Sequence, residues 1–240
     1  MTILEKSKTA AVIVGAGSSV RMGKNKIFMD LLRRPTLAWT VEAFEQFDAV
    51  GRIVLVLHES DIKQGEELMR KDGWKKVIRI CQGGPRRQDS VKNGLGCLIE
   101  SCDTVIIHDA ARPCITHDIL ERGLIAVRET GATVAAIKVN DTIKRTRIDG
   151  SIEVVKETVQ RDNLRIIQTP QVFDYALLAK AHERTNYDVN DDAAMVENIG
   201  GCVTVYEGAR YNIKLTTIED VEEAERFIAS KAGYCWRPNP

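Results

Sequence analysis

The sequence predicts an α/β fold in which a mostly parallel, twisted sheet carries helices on both faces. Short apolar runs, typical of buried strands, alternate with amphipathic helical segments along most of the 240 residues. This rhythm favours parallel strands joined by helical crossovers. Charged or glycine-rich loops follow the first, third and fourth predicted strands. Since ligands bind beyond the carboxyl ends of such strands, we expect a binding site at that edge of the sheet.

The first part of the chain supplies five predicted strands and their connecting helices. Each strand is a short apolar run, and each helix has apolar residues three or four positions apart. Ser60 and Asp61 are good N-cap residues for the second helix, and Gly73 marks its end. In chain order we predict strand 10–14, helix 37–47, strand 52–57, helix 60–71, strand 76–81, a helix from the 83–91 loop to about 99, strand 104–107, helix 116–130 and strand 132–139.

The rhythm changes near residue 140, where segments 142–147 and 152–158 are joined through Asp149-Gly150, a hairpin turn signal. Polar residues on both faces predict that this hairpin projects as an arm over about 140–160. An isolated two-stranded arm is marginally stable, so we expect a homodimer in which a symmetric partner packs on it. The later predicted elements are strand 165–168, a turn at 169–171, helices 174–184 and 191–199, strands 203–206 and 211–215, and a helix capped by Thr217.

Composition restricts the partners. The 34 basic and 34 acidic residues cancel, so no overall field favours nucleic acid or an anionic membrane. The six cysteines form no C-x-x-C pair, which predicts reduced thiols. Without a signal-peptide pattern or a run of about 18 apolar residues, we expect a cytoplasmic protein. The histidines are weak signals: we expect His108 to orient its loop, and surface positions for His58, His117 and His182.

The first predicted strand ends in the loop Gly15-Ala16-Gly17-Ser18-Ser19. Small residues let backbone N–H groups approach an anion closely, and Arg21, Lys24 and Lys26 supply nearby positive charge. A P-loop does not fit, because five residues separate Gly17 from Gly23 and no hydroxyl follows Lys24. The dinucleotide fingerprint lacks its third glycine. An anion-binding loop and an ordinary strand-to-helix turn with solvated lysines both stay open.

Asp109 is the second candidate, because it ends a buried strand at the predicted ligand edge. A carboxylate there can hold Mg²⁺, whose other ligands are mostly phosphate oxygens and water. The alternative is a capping aspartate or one paired with Arg112. An anionic substrate would be favoured if further cations meet at the same edge. The candidates are Arg86, Arg87, Arg161 and Lys214. No pattern indicates a catalytic triad or a cluster of metal ligands, and phosphoryl or nucleotidyl transfer needs neither.

Taken in order, these motifs resemble those of the 2-C-methyl-D-erythritol 4-phosphate cytidylyltransferases. The resemblance covers nearly the whole chain and rests on Gly15-Ala16-Gly17 through Lys26-Ile27-Phe28, Gly83-Gly84 with Arg87-Gln88-Asp89-Ser90-Val91, His108-Asp109-Ala110-Ala111-Arg112-Pro113, Asp141-Thr142-Ile143-Lys144, Arg161, Gln168-Thr169-Pro170-Gln171, Asp191-Asp192-Ala193 and Asn212-Ile213-Lys214-Leu215-Thr216.

The resemblance implies a single Rossmann-like nucleotidyltransferase domain over residues 1–240. It implies transfer of CMP from CTP to 2-C-methyl-D-erythritol 4-phosphate, which gives 4-diphosphocytidyl-2-C-methyl-D-erythritol and pyrophosphate in non-mevalonate isoprenoid biosynthesis. It further implies Mg²⁺ as cofactor and a homodimer that exchanges arms. Ribitol 5-phosphate cytidylyltransferase is the nearest alternative enzyme, and a CTP-binding regulatory module is the alternative without turnover.

The resemblance also implies roles for individual residues. Arg21 and Lys26 match the catalytic pair that stabilises charge on the triphosphate during attack at the α-phosphorus. Arg161 and Lys214 match residues that hold the attacking phosphate. The rest of the substrate site matches Asp109, Arg112, Thr142 and Thr169, with Thr142 and Arg161 reaching in from the partner's arm. The nucleotide side matches Ala16, Gly17, Ser18, Gly84, Ser90 and Asp109, and Asp109 is the expected metal ligand.

Several positions depart from the family pattern. Ser19 stands where a second loop glycine is usual, and Asn190 stands for a usual threonine before the aspartate pair. Because serine still donates a hydrogen bond, we expect altered triphosphate contact and not its loss. Gly15 and Val20 also differ from the usual residues. The short segment after Met22 makes Lys24 a rival for the catalytic lysine, and Lys26 is preferred because Phe28 follows it at the family's spacing.

Overall fold

The computed structural model describes residues 8–17, 25–98 and 102–231. A seven-stranded sheet forms its centre, built from β1 (Thr9–Gly15), β4 (Arg52–Leu57), β5 (Val77–Gln82), β6 (Thr104–Asp109), β7 (Ala132–Lys138), β10 (Arg165–Asp174) and β11 (Thr204–Glu207). The strand order across the sheet is β11-β7-β10-β6-β1-β4-β5. Within the described ranges β10 is its one antiparallel strand, and the other neighbouring strands pair in parallel. The predicted mostly parallel sheet is confirmed.

Seven α-helices accompany the sheet in the described ranges, α1 (Thr36–Glu45), α2 (Ile62–Asp72), α3 (Arg87–Gly96), α4 (His117–Thr130), α5 (Tyr175–Arg184), α6 (Asp192–Asn198) and α7 (Ile218–Lys231), and a 3₁₀-helix at Glu59–Asp61 precedes α2. The helices cover both faces of the sheet. Successive residues of β1 point to opposite faces, and each packs against different helices. Ile13 of β1 packs in one core cluster with residues of α1 and α4, such as Phe44 and Leu120. Val12 packs in the other with residues of α3 and α5, such as Val91 and Leu178.

Two small pairings complete the strand set. A short antiparallel pair joins β2 (Asp30–Leu31) to β3 (Arg34–Pro35). The predicted hairpin is confirmed as β8 (Ile143–Asp149) and β9 (Ile152–Val159), a two-stranded sheet separate from the large one. Gly150 in its turn has φ of 62°, the left-handed region that favours glycine. We refer to residues 140–160 as the arm.

The turn predicted at residues 169–171 is wrong, because β10 continues through it as one strand. Gln171 pairs with Ile107 of β6 and with Val134 of β7, and the register with β7 shifts between Ile167 and Gln171. Pro170 has no N–H to give to a ladder, which accounts for an irregularity at this point but not for a reversal of the chain. Thr169 is thereby held beside the end of β6.

The strand predicted at residues 211–215 is also wrong. Leu215 is fully buried against α7, where it packs with Ala224, and its N–H donates to the Ala111 carbonyl oxygen at 2.9 Å. The alternation of apolar and polar residues at 211–215 therefore comes from burial of the apolar residues beneath α7. The segment does not pair with the sheet. The segment runs alongside the loop that follows β6, and this course brings Lys214 to that loop.

None of the helices in the described ranges combines the length and the apolar character that crossing a membrane requires. Cys81, Cys97, Cys102, Cys114 and Cys202 are free thiols, as predicted, and Cys235 lies outside the described residues.

Candidate active site

A cavity of about 560 Å³ lies beyond the carboxyl ends of β1, β4, β5 and β6. The sheet register brings these ends level, since Gly15 lies opposite Leu57, Leu57 opposite Gln82, and Val14 opposite Asp109. The predicted ligand edge is thus where an open cavity lies. The predicted site residues among those lining it are Ala16, Gly17, Lys26, Gly84, Ser90, Asp109 and Lys214.

Two backbone loops meet at one side of the cavity. A Cβ atom on Gly83 would lie 2.2 Å from the Ala16 Cβ and 2.8 Å from the Ser90 Oγ, so only glycine permits this approach. The Gly84 N–H donates to the Ser90 Oγ at 3.1 Å. Asp89 accepts the Arg86 N–H at 3.2 Å, which fixes the start of α3. The result is a wall of closely approaching backbone groups on this side of the cavity.

Asp109 stands at the other side, surrounded by three cations. Its Oδ2 lies 3.0 Å from Lys214 Nζ and 3.3 Å from Arg112 Nε, and its Oδ1 lies 3.6 Å from Arg87 Nε. Burial by itself would raise the pKa of Asp109, but Lys214, Arg87 and Arg112 outweigh it and hold that pKa well below its usual range. The carboxylate is therefore ionised at neutral pH, and its cations leave a net positive wall.

The loop after β6 is fixed by its own polar groups. Thr169 Oγ1 accepts the Asp109 N–H at 3.0 Å and lies 3.1 Å from Nδ1 of His108. His108 Nε2 lies 3.2 Å from the Arg112 carbonyl oxygen. Burial lowers the pKa of His108 to about 3, so the ring is neutral and holds the loop through hydrogen bonds. This arrangement agrees with the orienting role predicted for His108.

The irregular segment at 211–215 positions Lys214. Arg112 Nη1 donates to the Asn212 carbonyl oxygen at 2.8 Å, and Asn212 Nδ2 donates to the Thr169 carbonyl oxygen at the same distance. These bonds and the Leu215 contact to Ala111 tie the segment to β10 and to the Asp109 loop. Lys214 thus meets the Asp109 carboxylate from outside the sheet.

An aspartate that motif comparison left without a role lies behind Arg87. Asp192 is fully buried, and its Oδ2 accepts a hydrogen bond from Arg87 Nη1 at 2.6 Å. The expected surface position of His182 is wrong, because this side chain is buried with its Nε2 3.6 Å from Asp192 Oδ1. A usable sequence signal existed: two adjacent aspartates open a helix, and a single N-cap needs only one of them.

Other predicted residues lie elsewhere. Thr142 on the arm and Arg161 directly after it are exposed, and neither lines the cavity of its own chain. Arg161 donates to the Asn140 carbonyl oxygen at the base of the arm. Asn190 is likewise exposed and away from the cavity lining. Positions that fall outside the described residues are Ser18, Ser19, Val20, Arg21 and Lys24.

This fold and cavity define a class: a Rossmann-like nucleotidyltransferase, with backbone loops on one side of the cavity and cationic side chains on the other. The chain belongs to the 2-C-methyl-D-erythritol 4-phosphate cytidylyltransferase family, whose sequence model matches residues 9–230.

Individual relatives agree with this family. A protein of that description from Dehalococcoides mccartyi (strain CBDB1) is 42% identical over 222 residues, which cover 92% of this chain and 96% of the relative. One from Alkaliphilus oremlandii is 39% identical over 231 residues, 94% and 97% of the two chains. The crystal structure of 4-diphosphocytidyl-2C-methyl-D-erythritol synthase from Anaerococcus prevotii superposes with a TM-score of 0.81 at 28% identity, over 94% of this chain and all of the other.

Proposed function

We propose that the protein transfers CMP from CTP to 2-C-methyl-D-erythritol 4-phosphate. A phosphate oxygen of the sugar alcohol attacks the α-phosphorus of CTP, a new P–O bond forms, and the bond to the β-phosphate breaks to release pyrophosphate. The transition state carries extra charge on the phosphoryl oxygens, so positioning and cationic stabilisation supply the catalysis. The products are 4-diphosphocytidyl-2-C-methyl-D-erythritol and pyrophosphate, within non-mevalonate isoprenoid biosynthesis.

The observation that carries this proposal is the cavity with two unlike walls. The wall at Ala16, Gly84 and Ser90 offers backbone groups and one hydroxyl, which suit the edge of a pyrimidine nucleotide. The wall at Asp109 and Lys214 combines a carboxylate that can accept hydroxyl protons with an ammonium that can bind a phosphate. Lys26 lies on the same cavity. We propose that Lys26 and Arg21 stabilise the reacting triphosphate.

An assay of pyrophosphate release from the purified protein tests the assignment. We expect turnover with CTP and methylerythritol phosphate, at a kcat/KM at least about tenfold above that with ribitol 5-phosphate or with the other nucleoside triphosphates. Higher turnover with ribitol 5-phosphate would instead identify the protein as a ribitol 5-phosphate cytidylyltransferase. Binding of CTP without product from either sugar phosphate would identify a regulatory module.

We propose Mg²⁺ as the cofactor and Asp109 as its protein ligand, because an ionised carboxylate on the cavity suits this ion. Within the described ranges no group of three His, Cys, Asp or Glu side chains is arranged to hold a metal. A single carboxylate fits Mg²⁺, which takes its remaining ligands from substrate phosphates and water. The ion would neutralise triphosphate charge. Excess EDTA should therefore abolish turnover, and added Mg²⁺ should restore it; undiminished turnover in EDTA would contradict this role.

We propose a homodimer formed through the arm. Ile148, Ile152 and Val155 are 73%, 61% and 60% exposed there, and a two-stranded sheet with exposed apolar side chains needs a covering surface. In such a dimer the partner's arm would bring Thr142 and Arg161 to the cavity. We expect Ile152→Lys to shift the protein toward monomer in light scattering and to lower turnover. Ile125→Lys, at a 57% exposed apolar residue of α4, is the matched control.

We further propose a cytoplasmic enzyme of one domain, residues 1–240, without nucleic-acid or membrane partners. The balanced charge of 34 basic and 34 acidic residues supports this, since it provides no general attraction to polyanions.

A further inference from the structure

A line of alternating charges runs from the core to the cavity. It begins at Asp192, which is fully buried, passes through Arg87 and ends at Asp109. Arg87 faces Asp192 with Nη1 at 2.6 Å and Asp109 with Nε at 3.6 Å, so its guanidinium spans two carboxylates. The contact to the buried residue is the shorter one. Arg87 also lines the cavity, whereas Asp192 does not.

Asp192 is free for this contact because its neighbour performs the helix capping. Asp191 Oδ1 accepts the Ala194 N–H at 3.0 Å, and its Oδ2 accepts the Gln171 side-chain amide at 2.8 Å. Gln171 is 1% exposed, and its Oε1 accepts the Ala193 N–H at 3.2 Å. The start of α6 is therefore fastened to β10, and Asp192 projects from a rigid base.

Besides Arg87, few contacts are available to stabilise the Asp192 carboxylate. Its Oδ1 lies 3.6 Å from His182 Nε2, and neither of these two atoms has a hydrogen-bond partner among the described residues. A buried carboxylate without compensation is costly, so the Arg87 contact is the main one that stabilises it. The pair is consequently strong and directional, since a planar guanidinium has fixed donor positions.

We infer that Asp192 is a positioning residue, which holds the Arg87 guanidinium back from Asp109 and so leaves that carboxylate to Lys214 and the substrate. This inference rests on the proposed function. Without the Asp192 charge, the guanidinium would turn toward the remaining carboxylate and close the 3.6 Å gap. It would then compete with Lys214 for Asp109, and the wall that receives the sugar phosphate would change its geometry.

The test is a cycle of three variants, Asp192→Asn, Arg87→Gln and the double variant, with Asp188→Asn as control. Asp188 pairs with a different arginine, Arg86, at 2.9 Å and is 81% exposed, so its loss should leave kcat/KM unchanged. We expect Asp192→Asn to lower kcat/KM for the sugar phosphate about tenfold or more. Each variant is assayed below its own melting temperature, checked by circular dichroism.

The double variant separates positioning from a merely structural role. If Asp192 acts through Arg87, the double variant should lose no more activity than Arg87→Gln alone. Its melting temperature should lie above that of Asp192→Asn, because replacing both charges leaves no unpaired buried charge. Losses that multiply, so that the double variant is clearly less active than Arg87→Gln, would overturn the inference. So would a folded Asp192→Asn with normal kcat/KM.

A parallel measurement keeps this inference separate from the reaction assignment. CTP affinity by titration calorimetry needs no turnover, and Arg87 shares the cavity with Lys26 and Gly84. If the unmodified protein releases no pyrophosphate with any sugar phosphate, the proposed function fails. Non-additive effects of the two substitutions on CTP affinity would then still support coupling of Asp192 to the cavity through Arg87, and additive ones would refute it.

Discussion

Lys26→Ala should reduce kcat about a hundredfold or more, because it removes the cation that we propose stabilises the charge developing on the triphosphate. The local structure supports a fixed position for this residue on the cavity wall. Asn25 Nδ2 donates to Asp61 Oδ2 at 2.6 Å, and Ile27 on the other side is 2% exposed. The Ile27 carbonyl oxygen also accepts the Leu37 N–H at 2.7 Å. The backbone at Lys26 is thus anchored from both sides.

The effect should fall mainly on kcat, since a contact that strengthens in the transition state contributes little to ground-state affinity. Steady-state pyrophosphate release at saturating CTP and sugar phosphate measures it. Lys24→Ala is the informative comparison, because that lysine is the rival at the level of sequence. A hundredfold loss in Lys24→Ala with near-normal turnover in Lys26→Ala would reverse the assignment.

The sheet and its ligand edge could be predicted from the sequence because their signals are local. Segments such as 53–57 are apolar throughout, and a strand buried on both faces needs no other feature. Asp109 was identifiable for a related reason: it is a carboxylate at the end of such a strand. The hairpin could likewise be predicted from Asp149-Gly150, a dipeptide suited to a tight turn.

The features missed or misassigned depend on contacts between distant parts of the chain. Residues 211–215 alternate like a strand, yet their partners are Ala111, Arg112 and α7. His182 reads as an ordinary polar helix residue until Asp192 is placed beside it. The cavity's charge balance has the same origin, since Arg87, Arg112 and Lys214 meet at Asp109 from separate segments.

Asp109→Asn should give the largest combined loss of stability and activity. The substitution leaves Arg112, with 11% of its side chain exposed, without its carboxylate partner, and it leaves Lys214 and Arg87 facing a neutral group. Breaking a buried pair on one side costs about 3 kcal/mol in the free energy of unfolding. We also expect kcat/KM for the sugar phosphate to fall about a hundredfold, as displacement of a positioning group does. Asp103→Asn, at an exposed pair with Lys8, should change neither quantity appreciably.

The pH dependence of this loss identifies charge as its cause. Because the folded-state pKa of Asp109 lies well below its usual range, the carboxylate contributes its stability above the unfolded-state pKa of about 3.9. That contribution is lost as the pH falls further, toward the folded-state pKa. Urea unfolding should therefore show the full difference between the unmodified protein and Asp109→Asn at pH 7, and a shrinking one below about pH 4. A difference that stayed constant from pH 7 to pH 3 would attribute the loss to altered packing and remove the ionised carboxylate from its proposed place among the cations.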